Sequence, residues 1–355
     1  LPSLVLLAVV MAGALSVSAK ERPVRYRAEA AVDRGLRYLL KHQDADGSWG
    51  SSRWTGGVDR DPVPGAFHSF DVAVTAMCLE SLLPYRERKG VPEALAKAEA
   101  YLWSEFPNIR RPHPPHQPHN WSFCYGIQVH AELHKLRPDD RPARPRIEKQ
   151  IRELTAGLQL FEAPQGGWFY YANGATRRPL SPSASFVNAA VLTALHRARE
   201  IGVEPPAELV RKALWATRQQ RKPDSSYLYS FNSPLARGQA MREINRPAGS
   251  LGRSQACNHA LRLWEDPAIT PRVIDTWLER LVTRQGWLDM GRKRPIPHES
   301  HAAVAGYFYY FGHYYAGLCL QQASPAKRAT HQERLATIIA DRQEADGSWF
   351  DYPLY

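Results

Sequence analysis

The chain has 355 residues, 44% apolar and 23% charged, so it is long enough for a large core and too apolar to stay disordered. Its net charge of +11 fits contact with anionic lipid or acidic glycans, or plain surface solvation. No nucleic-acid-binding motif accompanies that charge, so nucleic acid is not expected as a partner.

Residues 1–19 are uncharged and apolar, and charge begins abruptly at Lys20-Glu21-Arg22. The stretch is short for a membrane span, and Val17 and Ala19 are the small residues that a signal peptidase requires. Residues 1–19 therefore read as a signal peptide cleaved after Ala19, and 20–355 as one exported domain, periplasmic or extracellular. The alternative is an uncleaved anchor holding the same domain outside the membrane. Leu1 stands where an initiator Met belongs, which points to missing upstream residues.

In chain order, the first amphipathic helix is predicted over 25–42, followed by the turn sequence Gln43-Asp-Ala-Asp-Gly-Ser-Trp49. A charge-poor helix over 69–85 comes next. The alternation then repeats. Half-exposed helices are predicted over 92–106, 144–161, 205–220, 271–284 and 327–342, and more apolar ones over 122–136, 183–199, 250–264 and 299–322. Helices apolar on most sides are buried on most sides, so the second set forms an inner layer and the first an outer layer. Prolines and glycines gather in the connections. Short strands are conceivable at 168–171 and 227–231, too few for a sheet.

Turn sequences related to the first occur at 165–171 and 343–353, and weaker ones place aromatics at 121, 227 and 287. With Trp49, Trp168 and Trp349 these positions have a mean spacing of 60 residues, room for two helices and two loops. Cys78, Cys124, Cys257 and Cys319 all fall in apolar helical segments. Buried small side chains are the plain reading; bridges between Cys78 and Cys124 and between Cys257 and Cys319 are the alternative.

Arg34-Gly35, Tyr38, Gln43, Gly47 and Trp49 together resemble the QW repeat of squalene and oxidosqualene cyclases, and Lys97-Ala98 with Tyr101 and Lys212-Ala213 with Trp215 keep its first half. The likeness covers 25–355 and extends to the superfamily that includes the protein prenyltransferase β subunits. It implies an all-α fold, an (α/α)6 toroid whose inner helices line a central cavity. Six outer helices but five inner ones are predicted, so the ring is expected to lack its last inner helix, as if truncated at the C-terminus. Such a gap is expected to bare apolar surface on its neighbours.

The chemistry of those families does not carry over. The sequence has no DxDD acid motif, and no DxC pair for a prenyltransferase zinc. What remains are polar groups near the starts of inner helices. Asp71, Glu299 and His301 are the candidate catalytic residues, though Asp71 serves equally as an N-terminal helix charge. Arg253 needs an anionic partner if it points inward, either a protein carboxylate or a substrate carboxylate or phosphate. Phe70, Tyr125, Tyr307 and His313 are the other candidate substrate contacts. His298 and His301 are spaced to share a helix face, but no metal site is assigned; the cofactor is unknown. The run 307–315 is aromatic on all sides and part of it is expected to line the cavity. Three functions stay open. A binding or scaffold protein with a central cavity is placed first, an enzyme acting on an isoprenoid or other lipid second, and a carbohydrate-active toroid such as a polysaccharide lyase third.

Overall fold

The structure is a computed structural model that describes residues 22–50, 66–110, 119–140, 142–170, 183–231, 243–294, 296–298 and 301–352. The signal-peptide segment lies outside them. Eleven α-helices lie within them. Six are outer: α1 (Arg22–Lys41), α3 (Val91–Glu105), α5 (Ala143–Leu160), α7 (Ala207–Gln219), α9 (Pro271–Asp289) and α11 (Pro325–Asp341). Five are inner: α2 (Ala66–Leu82), α4 (His119–Leu136), α6 (Ser185–Glu200), α8 (Leu251–Leu263) and α10 (Phe308–Cys319). Ser183–Ala184 (β1) and Ser230–Phe231 (β2) pair antiparallel, Ala184 opposite Ser230.

Burial separates the two layers. Outer helix α7 buries Leu209, Val210, Ala213, Ala216 and Thr217, one stripe at helical spacing, whereas inner helix α6 buries every residue from Ser185 to Leu195. The inner helices pack in order α2, α4, α6, α8, α10, each against an outer neighbour, and α11 packs against α1. The outer ring therefore closes.

The closure is made by the turn that ends an outer helix. After α1, Asp44 N–H donates to Ser48 O (2.9 Å) and Gly47 N–H to Asp44 O (2.9 Å). The same pair of bonds recurs at Ala163/Gly167/Gly166, Lys222/Ser226/Ser225 and Glu344/Ser348/Gly347. The third residue has positive φ in each, 94° at Gly47, 95° at Gly166, 60° at Ser225 and 94° at Gly347. The Trp indole then donates back to a carbonyl ten residues earlier: Trp49 to Leu39 O (2.9 Å), Trp168 to Leu158 O (2.7 Å) and Trp349 to Ile339 O (2.8 Å). Those carbonyls belong to the last turn of the helix, where intrahelical partners run out.

Each turn also holds the next repeat. Gln43 Nε2 donates to Gly47 O and to Ala94 O at the start of α3, both 2.9 Å. Gln343 Nε2 donates to Gly347 O and to Ala31 O on α1, both 2.8 Å. A Cβ added to Gly47 would lie 2.5 Å from Lys97 O, one on Gly166 2.6 Å from Lys212 O, and one on Gly347 2.7 Å from Arg34 O. These carbonyls belong to the basic residues of the basic–small pairs, so the end of one repeat seats on the beginning of the next. Arg27 and Asp341 add an ion pair across the same seam.

Several expectations change. Trp121 lies inside α4, and Trp287 inside α9, which runs through the expected turn with one non-helical residue at Arg284, so neither marks a turn. The helix predicted over 299–322 begins at Phe308, after a 3-10 turn (His301–Ala303) in which Ala302 and Ala303 have positive φ. His298 and His301 thus do not share a helix face. The apolar side chains of α10 and those of α2 from residue 68 on, expected to be bared beside a missing helix, are buried or half-buried. The four cysteines are buried free thiols, the plain reading of the sequence, and neither alternative bridge is formed.

Gly347→Ala forces a side chain into a left-handed position against the Arg34 carbonyl. It is expected to cost about 2 kcal/mol, and Gln343→Ala about 1 kcal/mol. Urea melts of the two variants measure this. Midpoints unchanged from the parent chain would show that the turn does not hold the ring.

Candidate functional site

The inner helices begin on one face of the ring, where aromatic rings gather around Phe186 of α6. Its ring centroid lies 5.2 Å from Tyr229 and from Phe308, 5.9 Å from Tyr170, 6.0 Å from Phe311 and 6.3 Å from Trp121. Phe186 itself is 4% exposed. Trp121, Tyr170, Tyr229, Tyr307 and Phe311 are half-buried, and with Phe186 they form one aromatic cluster, called the basin below.

The basin has a polar seam. The Tyr170 and Tyr229 hydroxyls are hydrogen-bonded, Tyr229 Oη is 3.0 Å from Tyr307 Oη, and Tyr307 Oη is 3.2 Å from His298 Nε2. His298 Nδ1 lies 2.8 Å from Ala303 O, which can only accept, so the proton resides on Nδ1. Nε2 is then the acceptor and Tyr307 the donor. Burial lowers the His298 pKa, which keeps the ring neutral and this polarity fixed.

Beneath the basin, Arg253 is fully buried. Its Nε donates to Tyr227 O (3.0 Å), Nη1 to Gly249 O (2.7 Å), and Nη2 to Ile244 O and to Asn245 Oδ1 (3.1 Å). Its guanidinium carbon also lies 5.7 Å from the Tyr229 ring centre. The expected anionic partner is replaced by neutral oxygens, and burial pushes the Arg253 pKa down to about 10. Arg253 therefore ties the chain of 244–249 to the Tyr227 turn, with its donors directed at protein oxygens.

The other candidates scatter. Asp71 sits near the start of α2 with its carboxylate against Gly50 and close to Tyr101 of α3, both parts of the outer layer; Phe70 is half-buried beside it. Glu299 and the side chain of His301 lie outside the described residues. Tyr125 stacks on Trp121 (6.0 Å, 14° between planes), and Tyr307 joins the hydroxyl seam. His313 turns away from the basin: its Nδ1 is 2.7 Å from Tyr309 O, and the Tyr309 hydroxyl reaches Gln285 of α9. Among the described residues no group of three His, Cys, Asp or Glu side chains is placed to hold a metal ion.

Tyr170, Tyr229 and Phe186 were not singled out by the sequence, and His298 only as a neighbour of His301. A signal for the tyrosines exists, since each stands two residues after a turn aromatic, Trp168 and Tyr227.

Side chains from helices that are not neighbours in the ring also meet across its axis. Glu80 of α2 pairs with Arg197 of α6 at 2.5 Å, and Tyr314 of α10 lies against both. Tyr125 of α4 lies beside Tyr315 of α10, whose ring centre is 4.8 Å from Phe311.

Rings of paired helices with this order define the α/α-toroid class, and structural comparison places the chain within it. A type II terpene cyclase, MstE from Scytonema, in complex with geranylgeranyl dihydroxybenzoate as substrate, superposes with a TM-score of 0.50 at 15% identity over 92% of this chain and 82% of that one. A protein from Actinoplanes matches with a TM-score of 0.50 and 15% identity, over 90% and 82% of the two chains. An α-1,6-mannanase from Salegentibacter sp. aligns at a TM-score of 0.44 and 11% identity over 88% and 99%. No family model and no curated protein matches the sequence. The fold is squalene-cyclase-like.

Burial holds three imidazoles well below their ordinary value: His130 and His313 at about 4 and His259 at about 3. The unfolded chain takes up these protons near pH 6.5, and the folded chain refuses them until about pH 4 or below. Stability is therefore expected to fall as pH drops from about 6.5 toward 4, by up to about 3 kcal/mol per imidazole. Imidazole titration by NMR tests it, and values near 6.5 in the folded protein would refute it.

Proposed function

We propose that this chain is a binding or scaffold protein on a cyclase-like toroid, and that its aromatic basin takes an apolar ligand carrying a hydroxyl group. The observation that carries the reading is the crossing of the axis. Contacts from α2 to α6, α6 to α10 and α4 to α10 cross the space in which a cyclase would fold a long polyene. Binding then falls to the basin above this layer. Its ring faces offer apolar contact, and the Tyr170–Tyr229–Tyr307–His298 seam offers hydrogen bonds to one hydroxyl.

The absence of a DxDD motif supports the same reading, as does Asp71's position against the outer layer. The superposed terpene cyclase was captured with a geranylgeranyl compound, which makes geranylgeraniol a reasonable probe. Export by a signal peptide, read from residues 1–19, would place the protein where it meets membrane-derived lipids.

Tyrosine fluorescence and native mass spectrometry with geranylgeraniol and with a mannose oligosaccharide test this. Saturable binding of geranylgeraniol, weakened about threefold to tenfold in Tyr307→Phe, with the alcohol recovered unchanged, is expected. A cyclised product would overturn the non-catalytic reading, and binding of the oligosaccharide alone would overturn the apolar one.

A further inference from the structure

The inner helices end on the face opposite the basin, and there a cavity of about 410 Å³ is lined by residues from the ends of all five. That volume is within the range of small-molecule pockets. Each helix end brings carbonyls without intrahelical partners and a partial negative charge of about half an electron.

The side chains add to this sign. Glu80, Arg197, Glu132, Lys135 and Glu200 form one chain of alternating charge: Glu80 to Arg197 at 2.5 Å, Arg197 to Glu132 at 4.0 Å, and Lys135 Nζ to Glu132 and Glu200 at 3.0 Å each. The cavity lining as a whole holds three carboxylates and three cations, Arg86 being the third, but at its centre Glu132 and Glu200 share the one ammonium of Lys135. His259 on the wall adds no positive charge, because burial pushes its pKa down to about 3. His196, whose Nδ1 lies 3.3 Å away, and the Lys135 ammonium lower the Glu200 pKa to about 2, so its carboxylate stays ionised. Arg86 at the rim is 50% exposed and pairs with the solvent-exposed Glu87.

Lys135 shows what the cradle accepts. Its own ammonium sits between two carboxylates from α4 and α6, yet the side chain is 38% exposed and has room to swing out. We infer that this cavity is a binding site for a small organic cation, a primary diamine or guanidinium compound, whose nitrogen takes the Lys135 position between Glu132 and Glu200. The two carboxylates that share one ammonium and the five helix ends supply the attraction. This site is independent of the basin and of the ligand proposed there.

Isothermal titration calorimetry of the whole chain with 1,5-diaminopentane tests it, with 1,5-pentanediol and glutarate as neutral and anionic counterparts of similar length. The diamine is expected to bind with a Kd below about 1 mM and the other two not to bind. Glu132 and Glu200 are 31% and 42% exposed, so the double variant E132Q/E200Q should keep its fold, checked by circular dichroism, and bind the diamine at least about tenfold more weakly. Lys135→Met, which removes the resident ammonium and leaves both carboxylates, should bind it more tightly. No heat of binding at about 10 mM diamine, equal binding of glutarate, or unchanged affinity in both variants would overturn the proposal.

Discussion

A helix that stops leaves its last carbonyls without partners, and this ring is organised around one answer to that shortage. The Trp indole reaches back to the last turn of its own helix, and the Gln amide reaches its own turn and the following outer helix at once. A single motif therefore ends one repeat and positions the next. Because Gln343 makes at Ala31 the bond that Gln43 makes at Ala94, the last outer helix seats on the first as the first seats on the second. Ring closure is a local rule applied once more, with no separate device.

Where the motif weakens, other side chains take over. In the fourth repeat Tyr227 replaces Trp, and its hydroxyl reaches Asn258 of the inner helix where an indole would have reached back to the outer one. Arg253 then holds the Tyr227 carbonyl and ties in the segment before α8. A fully buried guanidinium is costly unless its donors are engaged, and here four bonds to oxygens engage them. The residue whose charge drew attention in the sequence acts as a strut beneath the basin.

The layer crossing the axis divides the molecule into two faces of different chemistry. Inner-helix beginnings surround rings and hydroxyls, and inner-helix ends surround carboxylates and cations. Both follow from threading every repeat in the same direction, so that five helix dipoles add on each face.

Much of the architecture was legible, because its signals are short-range. Helical spacing, a Gly at the left-handed position and a Trp ten residues from its acceptor all lie within one repeat. The misreadings at Trp121 and Trp287 have the same origin. In each working turn the residue two before the aromatic has positive φ, Gly47, Gly166, Ser225 or Gly347, whereas Gln285 stands in that place before Trp287. So α9 simply continues. By itself the sequence determined the repeat, the two layers and the turn that joins them. What the centre of the ring contains was decided only by the tertiary structure. Glu80 and Arg197 are 117 residues apart, and whether they meet depends on the radius of the closed ring, which no local pattern encodes.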